Sequence, residues 1–147
     1  MNLGLVYFKD NQLDESLLSY QTARDYQERC FGHTHSDTGN TIGNIGNILY
    51  KQNKFNESLE MYKEALKIIE INQGKDHLQS AVPMINIGNV YKKQGKYGES
   101  LDYYLRALSI MEENYGTGHI ETVNYVYNIA LIYKEVQAKD DFAKYLK

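Results

Sequence analysis

The sequence repeats itself with a period of 42 residues, and no gap is needed anywhere to keep the copies in register. An asparagine marks the same place in each of four copies, at Asn2, Asn44, Asn86 and Asn128. The second and third copies, residues 44–85 and 86–127, are identical at 18 of 42 aligned positions. A fixed period of this length indicates stacked supersecondary units, because one unit alone cannot bury its apolar face.

Within one copy the apolar residues fall on two stripes with helical spacing, which predicts two amphipathic helices. The first stripe is Ile42, Ile45, Ile48 and Leu49, and the second is Phe55, Leu59, Tyr62, Ala65, Leu66 and Ile69. Asn53-Lys54 separates these stripes, and Gly95-Lys96 does so in the next copy. We expect the second helix to run for about 17 residues and to end at Gly74 in a left-handed turn.

Small residues recur inside both predicted helices. The first helix carries Gly4, Gly46, Gly88 and Ala130, and the second carries Ala23, Ala65 and Ala107. A glycine inside a helix costs roughly 1 kcal/mol relative to alanine, so its recurrence needs a reason. We interpret these positions as points where a neighbouring helix approaches closely. The predicted fold is therefore all-α, a solenoid of stacked antiparallel helix hairpins.

The repeated residues resemble the signature of tetratricopeptide repeats. Leu3-Gly4 and Tyr7 are followed by Ser16, Tyr20 and Ala23. The 42-residue period, the long second helix and a Gly-x-x-His loop (Gly32–His35, Gly74–His77, Gly116–His119) are similar to the kinesin-light-chain-like subgroup. The resemblance covers residues 2 to 136. It implies a right-handed superhelix that acts as a protein–protein interaction scaffold, with its first helices lining a concave groove for extended peptides.

One single solenoid accounts for residues 1–147, with repeats at about 2–43, 44–85 and 86–127 and a partial repeat at 128–147. The register is lost beyond Val136, since Phe142 falls where the earlier copies carry serine. Met1 lies in the middle of a first helix and Lys147 in the middle of a second helix. Solenoid ends normally carry a polar capping helix. We therefore expect this chain to be a piece of a longer protein.

Polar side chains recur on the face of the first helix opposite its apolar stripe. An asparagine amide both donates and accepts hydrogen bonds, so a ladder of them could hold the backbone of an extended peptide. The alternative is that these asparagines bridge neighbouring helices, and the two roles are compatible. The candidate peptide-binding residues are Asn44, Asn47, Lys51, Asn86, Asn89, Lys93 and Asn128.

Lysines stand near the C-terminal end of each first helix, and Glu135 is the exception among them. They could form a basic rim that favours an acidic partner. They could equally serve solubility and match the negative end of the helix dipole. The residues are Lys9, Lys51, Lys92, Lys93 and Lys134.

The resemblance also excludes one type of ligand. Relatives that bind chaperone tails hold a terminal carboxylate with lysine and arginine near the start of the first helices. The corresponding positions here are Met1, Gly43, Ile85 and Tyr127. None of them is basic, so the clamp for a terminal carboxylate is absent.

Composition and charge exclude other classes of partner. The formal net charge of −3 gives no general attraction to nucleic acid or to anionic lipid. No apolar stretch approaches the roughly 20 residues of a membrane span. Cys30 is the only cysteine, so no intrachain disulfide can form, which indicates a reducing compartment and hence the cytoplasm. No catalytic set of side chains is apparent, and we expect neither enzymatic activity nor a cofactor. The oligomeric state is left open.

Four neighbouring residues suggest a zinc knuckle: Cys30, His33, His35 and Asp37. His35 recurs in the later copies without a cysteine beside it, so it belongs to the repeat. Cys30 and His33 alone are too few ligands, and we expect no metal.

The function predicted is a scaffold or adaptor that binds a peptide or partner segment in its concave groove. Two alternatives stay open at this point. The chain could be a structural arm within a large assembly, where the convex face or the edges matter more. It could also be a regulatory module fused to an enzyme outside this segment.

Overall fold

The computed structural model describes Gly4 and residues 12–145, without the side chains of residue 124 and residues 138–145. In this part of the chain six α-helices follow one another and no strand occurs. They are α1 (Leu13–Phe31), α2 (Ser36–Lys51), α3 (Phe55–Gln73), α4 (Ala81–Lys93), α5 (Tyr97–Tyr115) and α6 (Ile120–Tyr145), with a short 3-10 helix (Leu78–Ser80) before α4. None of these described helices is both long and apolar enough to cross a membrane.

The helices pack in chain order, as the repeat predicts. Helices α2 and α3 form one hairpin and α4 and α5 the next, while α3 packs on α4 to stack the two hairpins. Helix α1 packs on α2, and α6 packs on α5. The largest core cluster lies between and within the hairpins, where Met84, Ile87 and Val90 are fully buried together with Tyr104 and Ile132. The predicted apolar stripes are therefore the faces that the fold buries.

In each hairpin a glycine of the first helix packs against a tyrosine of the second helix. A β-carbon built on Gly46 would lie 2.8 Å from the ring of Tyr62, and one on Gly88 would lie 2.9 Å from the ring of Tyr104. The carbonyl oxygen of Gly46 also accepts a hydrogen bond of 2.8 Å from the Ser58 hydroxyl. Only glycine lets the aromatic ring of the second helix come this close. The predicted close approach is confirmed at both positions.

The second helices are 19 residues long, slightly longer than predicted. They are preceded by left-handed turn residues, Asn53 with φ 60° and Gly95 with φ 73°. The predicted left-handed turn at Gly74 is wrong in one respect. Its φ is 89° but its ψ is 163°, so the chain leaves the helix in an extended conformation that is open almost only to glycine. The amide of Gly74 still completes the last helical hydrogen bond, to Glu70, before the chain turns away.

The histidine of the Gly-x-x-His loop is a helix cap. The Nδ1 atom of His35 accepts a hydrogen bond of 3.2 Å from the backbone amide of Asp37, at the start of α2. His77 and His119 make the same bond to Gln79 and Glu121. Backbone amides in the first turn of a helix have no partner within the helix, so a side-chain acceptor stabilises this end. This explains why the residue recurs without any metal ligand beside it.

The third copy starts its first helix differently from the second copy. Helix α2 begins directly at Ser36, whereas a 3-10 turn precedes α4. Pro83 stands where the second copy has Thr41. Proline has no amide hydrogen to donate to the carbonyl four residues earlier, and it disfavours the helical conformation in the residue before it. These two effects account for the tighter first turn.

The fourth copy does not form the turn that the register predicts. Gln137 occupies the position of the left-handed Asn53 and Gly95, and α6 passes through it without a break as far as Tyr145. Glycine and, less often, asparagine adopt the left-handed conformation, whereas for other residues it costs roughly 1–2 kcal/mol. The predicted second helix around Lys147 falls outside the described residues, and within them no turn separates it from the first helix of the fourth copy.

Candidate functional site

The stacking of two hairpins leaves an open groove between the first helices α2 and α4. Its volume is about 320 Å³, and its floor comes from α3. We call it the asparagine groove. It is lined by Gly39, Asn40, Gly43, Asn44 and Asn47 of α2, by Tyr62, Ala65 and Ile69 of α3, by Gln79, and by Val82, Pro83 and Asn86 of α4. Three of the seven predicted contact residues thus share this surface.

Asn47 is held by the second helix of its own hairpin. The Tyr62 hydroxyl donates to Asn47 Oδ1 over 2.7 Å, and the Nδ2 group of Asn86 reaches the same oxygen at 3.4 Å. In the next hairpin the Tyr104 hydroxyl donates to Asn89 Oδ1 in the same way. These asparagines therefore do bridge helices, as one of the two sequence-based interpretations proposes.

The tyrosines of these pairs are deeply buried. Burial raises the pKa of the Tyr62 phenol to about 12, and it does the same to the pKa of Tyr104. Both phenols consequently stay protonated at neutral pH and act as hydrogen-bond donors. Each phenol fixes the orientation of an asparagine amide on the first helix of its own hairpin.

The remaining predicted asparagines differ in their surroundings. Asn44 is half-buried in the groove, and its side chain forms no hydrogen bond with any described residue. Asn128 is half-buried on α6, and it does not line the asparagine groove. The asparagines predicted to form one ladder are therefore divided, because Asn44, Asn47 and Asn86 line this groove while Asn89 lines a separate depression.

The lysines occupy a different surface. Lys93 and Asn89 line a second depression of about 350 Å³ with Tyr50, Lys92 and Glu135. Lys92 Nζ lies 3.9 Å from a carboxylate oxygen of Glu135, which offsets part of the positive charge there. Lys51 is exposed in the last turn of α2 and lines neither depression.

The last two lysines of the predicted basic rim are Lys9 and Lys134. Lys134 is exposed, but it lies in the middle of the long α6 and not at a helix end. Lys9 lies outside the described residues. The helix dipole interpretation therefore applies to Lys51, Lys92 and Lys93 only, which stand in the last turns of α2 and α4.

The four residues first considered as a zinc knuckle, Cys30, His33, His35 and Asp37, do not meet as a group in the described part of the chain. Cys30 is exposed, and His35 uses Nδ1 for its cap. Within the described residues, one group of three metal-ligating types meets, made of Glu28, His33 and Glu64. Sequence reasoning missed it, because Glu64 lies on a different helix and nothing in the spacing points to it.

A guanidinium group occupies the space between these carboxylates. Arg24 Nε lies 2.9 Å from Glu28 and Arg24 Nη2 lies 2.8 Å from Glu64, while His33 contacts both carboxylates at 3.0 and 3.3 Å. The hydrogen bond from Arg24, followed by that from His33, lowers the pKa of Glu28. The four residues form an ion-pair cluster that ties α1 to α3, from one repeat to the next.

The packing of the hairpins and the groove between first helices define a helical-repeat protein of the right-handed α-solenoid class. The sequence model of the tetratricopeptide repeat matches three overlapping segments, residues 1–71, 42–113 and 79–141. Together they span nearly all of the chain. This protein belongs to the tetratricopeptide repeat family.

Solved structures share this fold at low sequence identity. BtubC (BKLC) from P. vanneervenii superposes with a TM-score of 0.85 at 18% identity, over 92% of this chain and 54% of that one. A Podosopora anserina structure, whose name describes nearly identical kinesin light chain TPR-like repeats, gives a TM-score of 0.79 at 13% identity over 89% and 62%. This chain thus spans 54% and 62% of these two structures.

A third similar structure was solved together with a ligand. It is the complex of the TPR2AB domain of yeast Sti1 with pHSP90, with a TM-score of 0.72 at 17% identity over 95% of this chain and 47% of that one. No curated protein matches the sequence.

Proposed function

We propose that this chain is a protein–protein interaction module that binds an extended segment of a partner protein in the asparagine groove. The observation that carries the proposal is the convergence of Asn44, Asn47 and Asn86 on one groove with an apolar floor. Tetratricopeptide repeats are typically non-catalytic interaction scaffolds, and the Sti1 relative is a complex with pHSP90. The lone exposed Cys30 is compatible with a cytoplasmic location, which is part of this proposal.

The amide groups of the groove complement a peptide backbone. Asn47 uses its oxygen within the fold and keeps its NH₂ group for a ligand, while Asn86 donates weakly to Asn47 and keeps its oxygen. Asn44 offers both kinds of group. A peptide bond presents one donor and one acceptor, so neighbouring asparagines satisfy it without reading the side chains of the ligand. Such binding is tolerant of sequence unless another contact adds selectivity.

Charge adds a second element to the proposal. Lys93 stands beside Asn89 in the second depression, further along α4 than Asn86. Lys51 is exposed at the corresponding end of α2. An acidic residue of the partner that extends past the groove would meet these amines, which favours association at low ionic strength. We expect this contribution to be modest, because the lysines are exposed or share the surface with Glu135.

A peptide library tests the groove directly. Random linear peptides displayed on phage would be selected on the protein, and enriched peptides would be synthesised and titrated. The double variant Asn44→Ala/Asn86→Ala should bind them about tenfold or more weakly, because each lost hydrogen bond is worth roughly 0.5–1.5 kcal/mol. Its fold should survive, since alanine is the better helix former. Asn114→Ala, an exposed asparagine at the end of α5, is the matched control. Unchanged binding by the double variant would refute the proposal that the asparagine groove binds the peptide.

A structural arm within a larger assembly is the second candidate. It is favoured by exposed apolar side chains on α6, where Ile120 and Tyr127 are 65% and 64% accessible and Val123 is 48% accessible. Apolar groups exposed on one helix are typical of contacts with other protein surfaces. Loss of partner binding in Tyr127→Lys, together with normal binding in the double asparagine variant, would favour this second function.

A further inference from the structure

Three glycines lie on α2 beside the groove or the core, and only two of them are explained by packing. A β-carbon on Gly39 would lie 2.8 Å from Ile68, and one on Gly46 would lie 2.8 Å from Tyr62, so both positions exclude a larger residue. A β-carbon on Gly43 would meet nothing closer than Ala65 at 3.8 Å, which is an ordinary contact. Gly43 therefore carries the cost in helix stability of an internal glycine without any gain in packing.

The next hairpin shows what this position holds when it is filled. Ile85 stands at the place of Gly43, one period further along, and Ala107 stands at the place of Ala65. Ile85 is buried in the main core cluster and Ala107 lies in the same cluster. The hairpin architecture thus accommodates an isoleucine here. What Gly43 changes is the space left in the asparagine groove, which it lines.

The space beside Gly43 has a defined chemistry. Ala65 and Ile69 form its floor and Pro83 one of its walls, while asparagine amides stand around it. None of the residues lining the groove is charged. Burial of an unpaired charge in such surroundings is costly, whereas burial of an apolar side chain is favourable. The volume of about 320 Å³ lies at the lower end for ligand pockets, which suits one side chain of a bound segment.

We propose that the missing side chain of Gly43 opens an anchoring pocket for one uncharged, apolar side chain of the bound peptide, and that Gly43 is the residue that sets this specificity. The inference rests on the proposed function, since the asparagines hold the peptide backbone on either side of the anchor. It adds selectivity that the amide ladder lacks. Because the pocket occupies one place between α2 and α4, the anchor also fixes the register of the peptide along the groove.

The test fills the pocket from the protein side. Gly43→Ile introduces the residue that α4 already carries at this position, and Gly98→Ile is the matched control, because a β-carbon on Gly98 meets only open space. Peptides enriched from the random library should share an apolar residue at one position. Gly43→Ile should weaken their binding by about tenfold or more, the loss expected when one apolar side chain is no longer buried. Gly98→Ile should bind them as the parent does.

A second variant and a second peptide test the pocket without relying on the fold of Gly43→Ile. Val82→Asp places a charge on an exposed residue at the mouth of the pocket, and Val82 is 61% accessible, so the fold does not depend on it. It should weaken binding as Gly43→Ile does. A synthetic peptide with glutamate in place of its apolar anchor should likewise bind about tenfold or more weakly.

The outcomes separate this inference from the proposed function. If Gly43→Ile binds the peptides as tightly as the parent, or the glutamate peptide binds normally, the anchoring pocket is refuted. If Asn44→Ala/Asn86→Ala still weakens binding in that case, the groove function stands without the anchor. If neither the glycine nor the asparagine variants weaken binding, both proposals fail.

Discussion

The phenol of Tyr62 donates a hydrogen bond to Oδ1 of Asn47 over 2.7 Å, from the second helix of a hairpin to the first. The same tyrosine ring lies against Gly46, one residue earlier on α2. Core packing and the groove are therefore connected through one side chain, because the ring is buried while its hydroxyl orients a groove amide. Tyr104 repeats both relationships, with Gly88 and Asn89.

Replacement of Gly88 tests the close approach of the helices. Gly88→Leu should lower the free energy of unfolding by roughly 1–3 kcal/mol or more, because its side chain would overlap the ring of Tyr104. Gly43→Ala is the opposite case, and it should raise the stability by up to roughly 1 kcal/mol, since alanine fits there and favours the helix. Thermal unfolding measures both. A Gly88→Leu protein as stable as the parent would contradict the packing described here.

Alkaline pH should destabilise the fold through the buried tyrosines. The pKa of Tyr62 and of Tyr104 is raised by burial to about 12, whereas an unfolded tyrosine has a pKa of about 10. The folded chain therefore holds these protons more tightly, so this contribution to stability is complete below about pH 10 and is lost as the pH rises towards about 12. Urea unfolding across this interval measures the loss. The variant Tyr62→Phe/Tyr104→Phe should lose less over the same interval, and an equal loss would argue against the tyrosines as its source.

Chelation should leave the protein unchanged. Arg24 already neutralises Glu28 and Glu64 at 2.9 and 2.8 Å, and a metal ion would have to displace its guanidinium group. Circular dichroism and thermal unfolding with and without EDTA should therefore coincide. A fall in melting temperature on addition of EDTA that zinc restores, and that His33→Ala abolishes, would show that the cluster binds a metal after all.

Several parts of the fold were predictable because they depend on local pattern. The apolar stripes at helical spacing predicted both helices of each hairpin, and Ile42, Ile48 and Tyr62 are buried as expected. The recurring glycines predicted the close contacts of Gly46 and Gly88. The prediction from local pattern failed in the fourth copy, where the expected turn does not form. The position of Gln137 could have indicated this, because glutamine adopts the left-handed conformation far less readily than the asparagine or glycine of the earlier copies.

The site was less predictable, since all asparagines on the polar face of the first helices were treated alike. Asn47 and Asn89 bond to buried tyrosines, while Asn44 has no such partner among the described residues. The ion-pair cluster of Arg24, His33 and Glu64 was also not predicted from the sequence, because its members come from α1, from the loop after α1 and from α3. Periodicity identifies which face of a helix is polar, but not which neighbour each polar group meets.

The sequence by itself determined the period, the two helices of each repeat and the face that each helix buries. These follow from the spacing of apolar residues along one helix, which is a property of the chain alone. The tertiary structure decided which asparagines bond to buried tyrosines and that Arg24 lies between Glu28 and Glu64. It also decided that Gly43 lines the groove while Gly46 packs against a tyrosine ring. Those distinctions depend on distances between helices, and such distances arise only when the hairpins stack against one another.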